Sequence, residues 1–289
     1  MQNKQSLNIT ECGILNVVTR YQFSKKTMLL LMTWCMLSMS SLQSIAAEKI
    51  KVEKNSQEFG VKLGVSRLIY SPGSMGQSIS VSNPRERDYP MLVQSNPRDY
   101  PMLVQSRVYT EDMKSKAPFV VTPPLFRLDG LQQNNLRIIR TGGDFAKDRE
   151  TLQWLCVKGI PPKADDLWAK DKEGKPAVNK AVSLNLKLSV DNCIKLFVRP
   201  ESIKGHPDDV ASSLSWVRHG SQLKAVNDTP FYMNLSSLKV GNTDISDIHY
   251  VPPFSSYTFA LPKGTAGKVY WTVVTDYGGV SKVYQADIK

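Results

Sequence analysis

Residues that commonly carry chemistry are scarce in this chain. Three histidines occur in 289 residues, His206, His219 and His249, and none stands at metal-ligand spacing from another histidine or a cysteine. His219-Gly220 reads as a turn, and His249 as an isolated strand or loop residue. No G-x-S-x-G elbow, phosphate-cradling glycine loop or dinucleotide fingerprint is present. Asp165-Asp166 and Asp208-Asp209 are carboxylates paired in sequence only, a pattern that solvated loops explain. No C-x-x-C occurs, so cysteine-based metal or redox chemistry has no support. The expectation is a protein that is not an enzyme and uses no cofactor and no metal. No run of five or six Lys/Arg appears either. The formal charge of +11 favours acidic partners, but without a basic run or motif nucleic acid is not expected among them.

The N-terminus, by contrast, is informative. Lys25 and Lys26 precede an apolar run from Met28 to Leu37, and small residues follow to Ser44-Ile45-Ala46-Ala47. A charged segment, an apolar segment and an A-x-A-like site predict a signal peptide over residues 1–47, cleaved after Ala46 or Ala47, with a membrane anchor as the alternative. Thr33, Ser38, Ser40 and Ser41 interrupt the run, which is short for a bilayer span, so the mature chain is expected to have no membrane span. Two of the four cysteines, Cys12 and Cys35, fall in this leader. The other two, Cys156 and Cys193, stand 37 positions apart. In an exported chain such a pair reads as one disulfide, worth about 4 kcal/mol on the chain-entropy view; two buried thiols are the alternative.

Past the leader, apolar residues at 41% and charged residues at 22% allow a packed core. Short alternating runs dominate: Phe59 to Tyr70, Ser78 to Ser82, Met102 to Tyr109, Leu136 to Arg140, Leu152 to Val157 and Ala181 to Val198. After Arg199-Pro200 the alternation restarts at Leu214 and continues to Ile288. Many strands separated by Pro and Gly predict an all-β protein of two antiparallel sandwiches, 48–200 and 201–289. Asp165 to Lys180 is charged, aperiodic and contains Gly174 and Pro176, which predicts a long loop. Arg87-Asp-Tyr-Pro-Met-Leu-Val-Gln-Ser95 recurs as residues 98–106. Two copies are too few for a repeat architecture. The second copy runs into Arg107-Val-Tyr and continues a strand, so the first is expected to loop out or form an extra hairpin arm.

Within Ala181 to Val198, Val182, Leu184, Leu186, Leu188 and Val190 share one face of an extended segment. A half-buried strand would show the same pattern. This one is long for a small sandwich and follows a long loop, as an exposed edge would. An apolar edge invites aggregation unless a partner adds a strand to it. Self-association of the free chain would be another way to cover it.

Phe145-Ala-Lys-Asp-Arg-Glu-Thr-Leu-Gln-Trp-Leu-Cys-Val-Lys-Gly-Ile-Pro-Pro162 resembles the signature segment of the periplasmic pilus-assembly (PapD-like) chaperones. Ser66-Arg-Leu-Ile-Tyr70, Thr122-Pro-Pro-Leu-Phe-Arg-Leu128, Asn192-Cys-Ile-Lys-Leu-Phe-Val-Arg-Pro200 and Thr275-Asp-Tyr-Gly-Gly279 match in the family's order. The long loop and the cysteine pair resemble its long-loop (FGL) branch, which serves capsule-like and afimbrial adhesins. The duplicated segment departs from the family, which has one copy. The resemblance implies two immunoglobulin-like β-sandwich domains set at an angle and a periplasmic chaperone for fimbrial subunits. It also implies an outer-membrane usher as second partner and donor-strand complementation by residues 182–190, with Ile50 and Val52 extending that surface. Arg67 and Lys195 match the pair that anchors the subunit's C-terminal carboxylate. A secreted immunoglobulin-like fibre subunit or adhesin is the alternative. It would need a disordered N-terminal donor segment and usually one domain, whereas here the apolar strand is internal and two domains follow the leader.

Overall fold

The computed structural model describes residues 55–84, 101–163, 166–169 and 185–289, with the backbone alone for 55–58, 169 and 185–186. These residues belong to one compact unit. The expected leader, Ile50, Val52, Val182, Leu184, most of the 165–180 loop and the first copy of the duplicated segment lie outside them.

Alternating apolar and polar residues between turn-forming ones make the described part a β protein, with two single-turn 3-10 helices at Leu167–Ala169 and Ala211–Ser213. The first half contributes β1 (Asn55–Phe59), β2 (Lys62–Leu63), β3 (Arg67–Tyr70), β4 (Gln77–Ser82), β5 (Met102–Thr110) and β6 (Phe119–Thr122). It continues with β7 (Leu125–Leu128), β8 (Gln133–Arg140), β9 (Thr151–Ile160), β10 (Asn185–Ser189) and β11 (Asp191–Val198). One sheet runs β3-β11-β9-β5-β7, the facing sheet runs β2-β4-β8-β6, and β1 with β10 forms a separate parallel ribbon. Side chains of alternate positions meet between the sheets: Val81, Val104, Leu136, Ile138, Leu155, Val157 and Leu196 are sealed from solvent. Each such side chain contributes about 1.5–3 kcal/mol by leaving water. The second copy of the duplicated stretch supplies the start of β5, where Met102 and Val104 face the core.

The second half contributes β12 (Ser215–His219), β13 (Gln222–Asn227), β14 (Met233–Val240), β15 (Thr243–Asp244), β16 (Tyr250–Val251), β17 (Ser255–Ala260), β18 (Val269–Val273) and β19 (Tyr284–Ala286). One sheet orders β12-β13-β17; the other orders β15-β14-β18-β19, with β16 also on β14. Trp216 and Trp271 meet at 5.2 Å between ring centroids in its core. Asn227 is fully buried and fully used. Its Nδ2 donates to the carbonyls of Phe231, Val251 and Pro252, and its Oδ1 accepts from the Thr229 N–H and hydroxyl. A buried amide is tolerated only on such terms. His219 ends β12 opposite Gln222, and the β12–β13 turn is Gly220-Ser221, one residue later than expected, with Gly220 at φ 60°.

Two expected strands are interrupted. Phe59 to Tyr70 is three pieces, β1, β2 and β3, with Phe59 and Val61 buried but Val65 exposed. Glycine contacts break it. Gly60 lies under Val190, and Gly64 donates its N–H to the Ser80 carbonyl so closely that a Cβ there would come 2.1 Å from the Ser80 hydroxyl. Ala181 to Val198 divides at Val190. The Val190 N–H donates to the Phe59 carbonyl while its own carbonyl accepts from Gly159 N–H, each at 3.1 Å. The chain therefore leaves the β1 ribbon and enters the main sheet at this residue.

Cys156 and Cys193 face one another across β9 and β11 and are joined as a disulfide. The alternative of two thiols is thereby closed.

Candidate functional site

β3 and β11 run parallel, and their register sets Lys195 opposite Arg67. Neighbouring strands lie about 4.8 Å apart, so the two cations leave the sheet side by side. Both point where the two sandwiches meet. A guanidinium nitrogen (Nη1) of Arg67 donates to the Val274 carbonyl of the second sandwich at 3.1 Å. Arg67 is only 9% exposed, and its Nε is buried with no hydrogen-bond partner among the described residues. Lys195 Nζ donates to Asn234 Oδ1 at 2.6 Å and lies 4.7 Å from the Tyr250 ring centroid and 5.9 Å from that of Trp154. Leu152, Phe197, Ile69, Trp154, Tyr232 and Tyr250 make the apolar floor around them.

Neither cation forms an ion pair with a carboxylate among the described residues. Burial, and then the charge of Arg67, push Lys195 down to about 8. Burial also lowers Arg67, against the opposing pull of Asp276 and Glu150. Two like charges in a partly desolvated cleft are costly until an anion joins them. One carboxylate could accept charge-assisted bonds from both.

Arg199 nearby shows the contrast. It donates two bonds to Asp276 and one to Glu150, each at 2.7 Å. Glu150 also accepts the Tyr232 N–H at 2.8 Å, and His206 Nδ1 reaches Asp276 at 2.7 Å. Burial raises Glu150 despite Arg199. Burial pushes Asp276 the same way, but its bonds from Arg199 and His206 hold it below the usual carboxylate range. Those two acids are thus committed to Arg199 and bridge the sandwiches without neutralising Arg67 and Lys195.

The edge strand, β10, lies just before β11 in the chain. β10 pairs with β1 from Asn55 opposite Asn185 to Phe59 opposite Ser189. Among the described residues its other edge carries no strand. Lys187 Nζ donates to the Pro162 carbonyl and Ser189 Oγ to the Gly159 carbonyl, each at 2.5 Å, so these residues turn towards the end of β9. Leu188 faces the other way and is 41% exposed. Val190 is half-buried over Gly60, and Leu186 lies in the ribbon opposite Ser56.

Of the residues singled out in the sequence, Arg67 and Lys195 come together, and Leu186, Leu188 and Val190 share one extended segment. Val182 and Leu184 lie outside the described residues. Asn234, Tyr250 and Tyr232 were not anticipated at this site. They come from β14, its approach and β16, more than thirty positions from Lys195, and no spacing rule links them to it.

Residues 60–204 match the family described as pili and flagellar-assembly chaperone, PapD N-terminal domain, and residues 209–285 match the PapD C-terminal domain of pili-assembly chaperones. The chain is 49% identical over 237 residues to the chaperone protein AggD of Escherichia coli, covering 82% of this chain and 88% of that protein. Its fold is similar to the crystal structure of the E. coli chaperone DraB, with TM-score 0.67, 52% identity, and coverage of 82% of this chain and all of the other (100%). It is also similar to the Salmonella enterica SafB chaperone in complex with SafA pilin, with TM-score 0.67, 45% identity, and coverage of 80% and 99%. Two immunoglobulin-like sandwiches, a cation pair where they meet and these matches across nearly all described residues place the chain in the PapD family of pili-assembly chaperones.

Proposed function

We propose that the protein is a periplasmic chaperone that holds fimbrial or surface-fibre subunits by donor-strand complementation and passes them to an outer-membrane usher. Residues 1–47 are the export signal, 48–200 the domain that lends the strand, and 201–289 the second domain. Arg67 and Lys195 take the subunit's C-terminal carboxylate and so set register. Val182, Leu184, Leu186, Leu188 and Val190 then enter the groove of a subunit whose own sandwich lacks a strand. Burying five such side chains contributes roughly 8–15 kcal/mol gross, before ordering costs. The observation that carries this reading is a cation pair that meets no carboxylate among the described residues, in a chain whose β10 strand has a free edge among them with Leu188 exposed. The SafB relative, solved with a pilin, supports the class of partner.

Lys195→Ala tests it. Periplasmic co-expression with a fibre subunit should recover at least tenfold less subunit, a loss of the size expected when a charge-assisted bond is removed. The variant itself should keep its β circular dichroism. Unchanged subunit recovery would rule out the anchor.

A further inference from the structure

One acidic residue reaches every ring that faces Lys195. Glu111 stands in the turn after β5, and its carboxylate accepts the Tyr250 hydroxyl at 3.0 Å and the Tyr232 hydroxyl at 3.1 Å. Its main-chain carbonyl accepts the Trp154 indole N–H at 3.0 Å. Trp154 and Tyr250 are the rings that flank the Lys195 ammonium. Tyr232 packs between Tyr250, at 5.4 Å, and Phe197, at 5.5 Å, and its carbonyl holds Asn234 Nδ2 at 3.1 Å. Asn234 in turn holds Lys195. The first sandwich thus reaches across with Glu111 and sets the walls of the cleft from the second.

We propose that Glu111 is a positioning residue of the anchor: by fixing Trp154, Tyr250 and Tyr232 it aims the Lys195 ammonium at the incoming carboxylate. This rests on the anchor reading above. Glu111 is not the counter-ion of Lys195, whose titration responds to burial and to Arg67. Its charge is committed to the two phenols. Burial and then the Glu111 hydrogen bond push Tyr250 up to about 12, and burial with Glu111 raises Tyr232 as well. The lysine is left unneutralised while its surroundings are held rigid, which is how a binding group is preorganised.

The test uses the mature chain and two synthetic probes: an N-acetylated octapeptide of alternating valine and threonine, with a free carboxylate or an amidated C-terminus. The wild type should favour the acid by about tenfold or more, as charge-assisted bonds require. Glu111→Ala and Tyr250→Phe should cut that preference below about threefold while leaving affinity for the amide unchanged. Glu111→Gln, which keeps one carbonyl acceptor, should fall between. General damage would weaken both peptides alike, and a preference equal to wild type in Glu111→Ala and Tyr250→Phe would show that Glu111 does not aim the lysine; either result overturns the proposal. A wild type that does not distinguish acid from amide defeats the anchor itself, and this inference with it.

Discussion

At the scale of single residues the account turns on Lys195. Burial and Arg67 hold it at about 8, below its ordinary 10.5. Between those values the unfolded chain binds more protons than the folded one, so this residue lowers stability below about pH 8 and the penalty fades as pH rises towards 10.5. Carboxylate binding has the opposite requirement, because it needs the ammonium form. Affinity for a fibre subunit should therefore be flat up to about pH 7 and fall about tenfold by about pH 9, as calorimetric titration would read. A profile level through that window would mean that Lys195 does not meet the carboxylate. Arg67 and Lys195 were legible in the sequence through the motifs around them, Ser66-Arg-Leu-Ile-Tyr70 and Asn192-Cys-Ile-Lys-Leu. Their missing counter-charge was not legible, since it depends on Asp276 and Glu150 being committed to Arg199. Nor was Glu111, because a carboxylate in a hairpin turn looks like any solvated acid until two phenols from another domain are folded onto it.

At the scale of elements the decisive piece is the passage from β10 to β11. Period-2 alternation survives on both sides of Val190, so the pattern alone reads as one strand. The division comes from main-chain bonds made by Val190 and from Gly159, where a Cβ would stand 2.3 Å from the Phe59 carbonyl. Because Gly159 has no side chain, β1 and β10 can close against the end of β9 without joining its sheet. Leu188 on β10 thus stays outside the core that its alternation suggests. Leu188→Asp puts this to use. At a position already 41% exposed it should change stability by no more than about 0.5 kcal/mol in urea unfolding. It should weaken subunit binding at least tenfold, since a carboxylate cannot enter an apolar groove unpaired. A large loss of stability with normal binding would place Leu188 in this protein's own core.

At the scale of the whole molecule, two sandwiches meet at a junction built from both. Their all-β character followed from short alternating runs punctuated by Pro and Gly; the boundary near Arg199-Pro200 is an expectation drawn from the restart of that alternation. The contacts of the junction were beyond the sequence. Arg199 joins Glu150 to Asp276, Glu111 joins two tyrosines, and Arg67 reaches Val274, each contact spanning more than forty positions. Such contacts follow from the packing of two finished domains and not from local pattern. In the proposed reading a bound subunit engages both the cation pair at this junction and the β10 edge. Amide hydrogen exchange over residues 185–190, with and without a bound fibre subunit, tests that claim most directly. The account predicts that amides on the β10 edge facing away from β1 slow at least a hundredfold in the complex, and that the slowing disappears when Lys195 is replaced by alanine. Exchange at these amides left unchanged by a subunit that is demonstrably bound would contradict it.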